Sequence, residues 1–505
     1  MKKILFGAAI IASLSATAQS TEEKKPLGAS IPNDPYAISY TDVFDNMHYD
    51  QPYRPQVHYT PITGQIADAT GLILYKGSYH LFHMYDEWSR ARKDNKNWGH
   101  AVSNDMVYWK QQPQVLNTVL DNRPGSGSGI VDWNNTLKLQ SGSEKTLVIF
   151  YTDYGRGICM AISRDAGNTW IRHKANPIIP MNVTDVSNNR IRDPLVFWYQ
   201  PDRSWRMVLY DNKGFNFYKS TDLLGWTQLS RITGFFECPD FIEMSVDGNT
   251  NNKKWVIIDG DGSYRIGTFD GTTFASDMQN TKVDVGDDVY ATQSWKHSYD
   301  GGEPFVQIGM IRQNGKQQGN YASTWAMQQS VPCDLSLRTI DKKVRLCRMP
   351  IAAMKQLRFD PAFVNALTVQ DNKPHVMTGA GDVFEIVANV TLKTAKSLTW
   401  NIRGEKLTYD VASQQLSFMG KQGVVKPVNN VLPLRIIVDR SSVEVFANLG
   451  EVSISKLFFP PAEVRGFEMS VTGGSSEVNM EVYKLRSIWL EREQELGYQR
   501  STSER

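Results

Sequence analysis

A short polar signature recurs along the first half of the chain and restricts its fold more than any other feature. Ser103-Asn104-Asp105 is followed by Trp109, Ser163-Arg164-Asp165 by Trp170, Ser220-Thr221-Asp222 by Trp226, and Thr268-Phe269-Asp270 by Phe274. The copies start 60, 57 and 48 residues apart. Repeats of this length suit a four-stranded propeller blade, a unit that buries its faces only against neighbouring copies of itself. Four copies mark four blades, and the residues from 276 to about 345 leave room for a fifth. Between residues 60 and 480 short apolar and aromatic runs alternate with Gly, Asn, Asp and Pro, and helical periodicity is nearly absent. Segments 72–75 and 79–84 read as a hairpin around Lys76-Gly77-Ser78, and 195–199 with 205–210 reads likewise. An all-β chain with a five-bladed β-propeller over 35–350 is the expectation.

Beyond Pro350 the pattern changes. Ala352-Ala353-Met354-Lys355-Gln356-Leu357 looks helical, so 351–370 are predicted to be a linker. Alternating strands at 384–392, 398–402, 407–411, 434–438, 443–446, 452–458 and 467–471 predict a C-terminal β-sandwich over 371–490, and 491–505 form a polar tail. At the other end, Met1-Lys2-Lys3, an apolar run and Ala16-Thr17-Ala18 predict a signal peptide over 1–18, cleaved near Ala18, and export to the periplasm or beyond. That run is too short to span a bilayer, so membrane insertion is not expected. Lys and Arg number 55 against 53 acidic residues, a net charge of +2, which provides no global attraction for nucleic acid. Cysteines 159, 238, 333 and 347 allow three pairings; a Cys333–Cys347 bridge and free buried thiols both remain open. Oligomeric state is not set by the sequence.

Propellers gather functional groups around their axis, on the innermost strand of each blade. Asp68, Asp132, Asp193 and Glu237 precede the signature aspartates by 37, 33, 29 and 33 residues, so each marked blade offers one carboxylate. Converging carboxylates are what glycoside hydrolysis requires, one to attack or to activate water and one to carry a proton to the leaving oxygen. Trp88, Trp98 and Trp133 are candidates for stacking on sugar faces, with burial in the core as the alternative. The eight histidines show no metal-ligand spacing and no glycine-rich phosphate loop is present, so neither metal nor cofactor is expected.

At these positions the chain resembles glycoside hydrolase family 32, the invertases, inulinases and levanases. Arg192-Asp193-Pro194 and Glu237-Cys238-Pro239-Asp240 carry the resemblance, together with Arg54-Pro55-Gln56-Val57-His58-Tyr59, Trp98-Gly99-His100-Ala101-Val102-Ser103, Ser126-Gly127-Ser128 and Val438-Asp439-Arg440-Ser441-Ser442-Val443-Glu444-Val445-Phe446. It implies a five-bladed propeller followed by a β-sandwich. It also implies that Asp68 is the nucleophile of a covalent glycosyl-enzyme, Glu237 the general acid and then base, and Asp193 the stabiliser of the transition state, with retention of configuration. Arg192, Ser128 and Asp132 would join the substrate-binding groups. One departure is large: where the family has Trp-Met-Asn-Asp-Pro-Asn-Gly, this chain has Gln65-Ile66-Ala67-Asp68-Ala69-Thr70-Gly71, and Met84 stands where a Gln is usual. Gln65, Ala67 and Met84 therefore line a changed donor-sugar pocket. The expected activity is hydrolysis of β-fructofuranosidic linkages in fructans or fructo-oligosaccharides. Two other readings stay open: hydrolysis of another furanoside, such as an arabinofuranoside, or carbohydrate binding by a decayed site.

Overall fold

The computed structural model describes residues 49–87, 97–117, 123–181, 191–296, 304–312 and 324–489; the residues expected to form a signal peptide, Trp88 and the expected polar tail lie outside them. Blade 1 consists of Gly64–Tyr75, Ser78–Asp86, Asn97–Ser103 and Lys110–Leu116, and blade 2 of Pro124–Asp132, Thr146–Asp153, Gly157–Ser163 and Ile171–Arg172. Blade 3 is Arg192–Tyr199, Ser204–Tyr210, Gly214–Ser220 and Thr227–Thr233; blade 4 is Asp240–Val246, Asn249–Ile258, Ser263–Phe269 and Phe274–Ala275. Val289–Lys296, Phe305–Ile311, Cys333–Ile340 and Lys343–Pro350 form blade 5. Between its second and third strands the chain crosses to blade 1, where Trp325–Ala326 pairs in parallel with Gly64 and Gln65 and closes the ring.

The recurring signature has one physical meaning in blades 1 to 3. Ser103, Ser163 and Ser220 donate to the carboxylates of Asp105, Asp165 and Asp222 at 3.0, 2.7 and 3.1 Å, and each hydroxyl also accepts a backbone amide of the following turn. The trailing indoles of Trp109, Trp170 and Trp226 donate to the carbonyls of Met106, Gly167 and Leu223 at 3.1, 3.0 and 3.2 Å. In blade 4 Asp270 accepts the amides of Thr272 and Thr273, and Phe274 supplies the aromatic. Apolar side chains fill the seams between blades, with Phe150 and Met160 against Met207 and Leu209, and Phe197 and Phe217 against Phe241 and Phe269. Burial of that apolar area drives blade-to-blade packing.

The C-terminal sandwich has two six-stranded sheets. The segment expected to be linker is only partly so: Ala352–Leu357 is a 3₁₀ helix, whereas Arg358–Gln370 is an edge strand paired with Ser475–Leu485. Two register shifts and a largely exposed surface remove the strict alternation by which that strand would have been recognised. All four cysteines are free and buried, which settles the pairing question. Propeller and sandwich meet at a buried ion network. His58 Nδ1 is 2.7 Å from Asp439 and Nε2 is 2.9 Å from Glu444, and Arg348 joins Asp284 at 2.8 Å and Glu444 at 3.5 Å.

Candidate active site

The innermost strands bring their N-terminal ends together at one end of the propeller axis. Asp68 lies early in Gly64–Tyr75, Ser126 early in Pro124–Asp132, Arg192 and Asp193 open Arg192–Tyr199, Glu237 comes just before Asp240–Val246, and Tyr290 is the second residue of Val289–Lys296. The five blades thus contribute side by side. Ser126 Oγ donates to Asp68 Oδ2 at 2.7 Å. Arg192 donates from Nε and Nη2 to Glu237 Oε2 at 3.0 and 2.9 Å, and its Nε stands 3.6 Å from Asp193 Oδ2. The same guanidinium lies 4.2 Å over the Tyr210 ring. Tyr290 donates a short bond to Glu237 Oε1. Asp193 accepts the Cys238 amide at 3.0 Å, and its own amide bonds Thr152 Oγ1 at 2.9 Å. Asp193, Glu237, Cys238 and Ala291 all adopt left-handed backbone, with φ of 58°, 40°, 46° and 50°. Such strain in non-glycine residues persists only where the surroundings hold it, and here it aims the site's side chains.

Charge in this cluster is finely placed. Burial, and then the charge of Glu237, push the Asp193 carboxyl up to about 7 against the pull of Arg192 and the Cys238 amide. Buried beside the Glu237 charge, Asp193 therefore keeps a proton for part of the time near neutrality. Burial and the Glu237 charge drive the Tyr290 hydroxyl far above its ordinary value, which keeps it a donor. Tyr154, half-buried near Asp193, is driven up by its burial and then by the Asp193 charge.

Not every residue expected from the sequence joins them. Asp132 lies at the far end of Pro124–Asp132, six residues beyond Ser126, where its carboxylate accepts the amides of Thr136 and Leu137 at 2.8 and 2.9 Å. It is a turn cap and not part of the carboxylate cluster; Ser126 occupies the inner position of blade 2. Asp132→Ala is therefore expected to leave kcat within about twofold while lowering stability by about 1 kcal/mol, the usual worth of such a cap, as read by steady-state kinetics beside denaturant melts. Ser128 is buried and accepts the Val196 amide at 2.9 Å, tying blade 2 to blade 3. Trp98 is fully buried and donates to Gly125 O at 3.0 Å, so its ring face is closed to a sugar. Trp133 is part-exposed, next to Asp132 and away from the cluster. Gln65 and Met84 are both 2% exposed; Gln65 Nε2 contacts Met327 Sδ at 3.8 Å, and its Oε1 has no hydrogen-bond partner among the described residues. Ser126, Tyr210 and Tyr290 were not anticipated, although the first and last occupy the blade positions equivalent to Asp68 and Asp193.

Paired acidic side chains, one of them braced by an arginine and a tyrosine at the mouth of a propeller, define the class as a carboxylate-dependent glycoside hydrolase. Residues 58–350 match the glycosyl hydrolases family 32 N-terminal domain and 376–484 match the family 32 C-terminal domain, and the chain belongs to glycosyl hydrolases family 32. Among its relatives is a levanase of Bacillus subtilis (strain 168), 33% identical over 89% of this chain and 72% of the relative. An extracellular exo-inulinase of Aspergillus awamori is 28% identical over 88% of this chain and 96% of its own length. The crystal structure of exo-inulinase from Aspergillus awamori superposes with a TM-score of 0.77 at 26% identity, covering 87% of this chain and all of the other.

Proposed function

We propose that this chain hydrolyses β-fructofuranosidic linkages in fructans by double displacement, with Asp68 as nucleophile and Glu237 as acid and then base. The observation that carries this reading is the convergence of Asp68, Asp193 and Glu237, with Arg192 and Tyr290 fixing both oxygens of Glu237. Asp68 attacks the anomeric carbon of the terminal fructosyl unit as Glu237 passes a proton to the departing glycosidic oxygen. Water then loses a proton to Glu237 and displaces Asp68, which releases fructose and restores both groups. Asp193, set at the turn beside Arg192, bonds sugar hydroxyls while positive charge develops on the ring. The family relatives named levanase and exo-inulinase support fructan as the substrate class.

The residues next to Asp68 differ from the family pattern, and Gln65 Oε1 is buried with no hydrogen-bond partner among the described residues. Export fits the signal-peptide pattern at Met1 to Ala18 and the extracellular relative; among the described residues no helix is long and apolar enough to cross a membrane. Phe236, 46% exposed immediately before Glu237, provides a platform for the leaving-group sugar. Phe236→Ala is expected to raise KM for fructo-oligosaccharides about three- to tenfold with kcat nearly unchanged, since partial loss of one aromatic contact is worth about 1 kcal/mol. Turnover in dilute methanol tests the mechanism: retention yields methyl β-fructofuranoside by NMR, and the α-anomer would exclude a covalent intermediate on Asp68.

A further inference from the structure

Behind the acid lies a second acidic turn, Asp259-Gly260-Asp261-Gly262, to which the reaction as written gives no task. Asp259 is 3% exposed. Its Oδ2 accepts the Phe236 amide at 3.1 Å, and its Oδ1 accepts the amides of Asp261 and Ser263 at 3.2 and 3.1 Å. Gly260 N donates to the carbonyls of both Phe236 and Glu237, at 3.0 and 2.9 Å, while Gly260 O accepts the Ala291 amide at 2.7 Å. One turn therefore grips the residue before the acid, the acid itself and the residue after Tyr290. The approach is so close that a Cβ on Gly260 would stand 3.1 Å from Glu237 Cγ and 3.2 Å from the Tyr290 hydroxyl. The gripped backbone is the strained one, with Glu237 and Cys238 at φ of 40° and 46°.

We infer that Asp259 is a positioning residue for the general acid, clamping the strained Phe236–Glu237 turn so that the Glu237 carboxyl reaches the leaving oxygen. The inference rests on the reading that Glu237 is the acid. A displacement of about 1 Å at a proton donor costs on the order of 100-fold in rate, and a clamp of this kind prevents it. Charge follows the same plan. Burial and the bond to Asp261 push Asp259 up to about 8, while against its own burial the bond from Asp259 draws Asp261 down to about 2. At neutral pH the pair shares one proton. Lys282, from the strand Thr281–Lys282, faces Asp261 at 3.0 Å and is itself held by Asp287; Glu237 and Tyr290 face Gly260 from the other side.

The test compares Asp259→Ala and Asp259→Asn in the full chain on two substrates, a fructo-oligosaccharide and β-fructofuranosyl fluoride, whose leaving group needs no proton. Asp259→Ala is expected to lose about 10- to 100-fold in kcat/KM on the oligosaccharide and little in kcat/KM on the fluoride, because kcat/KM reports formation of the glycosyl-enzyme and only the oligosaccharide needs a proton in that step. Asp259→Asn keeps an oxygen for Phe236 N, the bond that holds the turn, but sets its NH₂ against the Asp261 and Ser263 amides that Oδ1 accepts, so it is expected to recover most but not all of kcat/KM on the oligosaccharide, leaving a deficit of about three- to tenfold. It should also remove any fall in rate that the parent shows as Asp259 ionises near pH 8. Equal losses in kcat/KM on both substrates would reduce Asp259 to a structural role and overturn the inference, as would an Asp259→Ala protein with parental kcat/KM on the oligosaccharide. Glu237→Gln, assayed alongside, separates the two readings: if it stays active the acid is misassigned, whereas an inactive Glu237→Gln with an active Asp259→Ala refutes the clamp alone.

Discussion

Glu237→Gln is expected to lower kcat on fructans by about 10³- to 10⁵-fold while the protein stays folded. An amide has no proton to give a departing alkoxide, so the whole contribution of acid catalysis is lost, and its later service as base is lost with it. Folding should survive because the site's bonds can be re-formed: the amide oxygen still accepts from Arg192 Nε and Nη2, and the Tyr290 hydroxyl turns from donor to acceptor for the new NH₂. In kcat/KM on β-fructofuranosyl fluoride the deficit should shrink sharply, since fluoride leaves unprotonated, whereas kcat should stay low because hydrolysis of the glycosyl-enzyme still lacks its base. Steady-state kinetics on both substrates, with near-ultraviolet circular dichroism as the check on folding, decide the matter. A Glu237→Gln protein within tenfold of the parent on levan or inulin would remove Glu237 from the role of acid.

The second large effect concerns the join between the domains. Burial disfavours a charge on His58, yet its hydrogen bonds to Asp439 and Glu444 outweigh this and hold it up to about 9 from an ordinary 6.5. His58 is thus an imidazolium bonded on both sides, and the same interactions hold Asp439 and Glu444 below their ordinary values in spite of burial. Because the folded pKa of His58 is the higher one, its contribution is complete below pH 6.5 and disappears as pH rises through about 9. The loss is on the order of 3 kcal/mol. The two carboxylates act in the opposite sense, adding stability above their ordinary range that acid removes, so the network is strongest between weakly acid and neutral pH. Removing one partner strands a buried charge, and Glu444→Gln is expected to cost about 3–5 kcal/mol. His58→Gln should flatten the decline in stability between pH 6.5 and 9, measured by denaturant unfolding at a series of pH values. An unchanged slope in His58→Gln would show that this histidine does not carry the charge that joins the domains.

What the sequence reveals here depends on how local the physics is. The Ser-x-Asp turns were legible because each is completed within seven residues by its own hydroxyl, carboxylate and indole, and they imply the blades directly. Ring closure by Trp325–Ala326 was not, since a two-residue parallel pairing leaves no periodic trace. Counting back from the turn aspartates picks out Asp68, Asp193 and Glu237, which the structure brings to one end of the propeller axis. It failed at Asp132, because the loops within blades differ in length and the inner group of blade 2 is a hydroxyl, Ser126, rather than a carboxylate. The fifth position, Tyr290, is hidden for the same reason: it carries a phenol where the other blades' pattern has a carboxylate. Two runs known only through resemblance, Arg54 to Tyr59 and Val438 to Phe446, acquire a physical explanation as the two halves of one buried network in which Asp439 accepts the amides of Gln56 and Val57. Gln65, Ala67 and Met84 could be read as departures, but their effect on substrate choice depends on the shape of a pocket that no pairwise pattern encodes.

The most direct measurement is fructose release from levan, inulin, sucrose and arabinan by the purified protein, with Asp68→Asn as the blank. Release from levan or inulin that disappears in the blank is the predicted result, and it would show that a site with Gln65, Ala67 and Met84 at the positions departing from the family pattern accepts a fructosyl unit. Silence on every fructan, with arabinan cleaved in its place or with nothing cleaved, would contradict it.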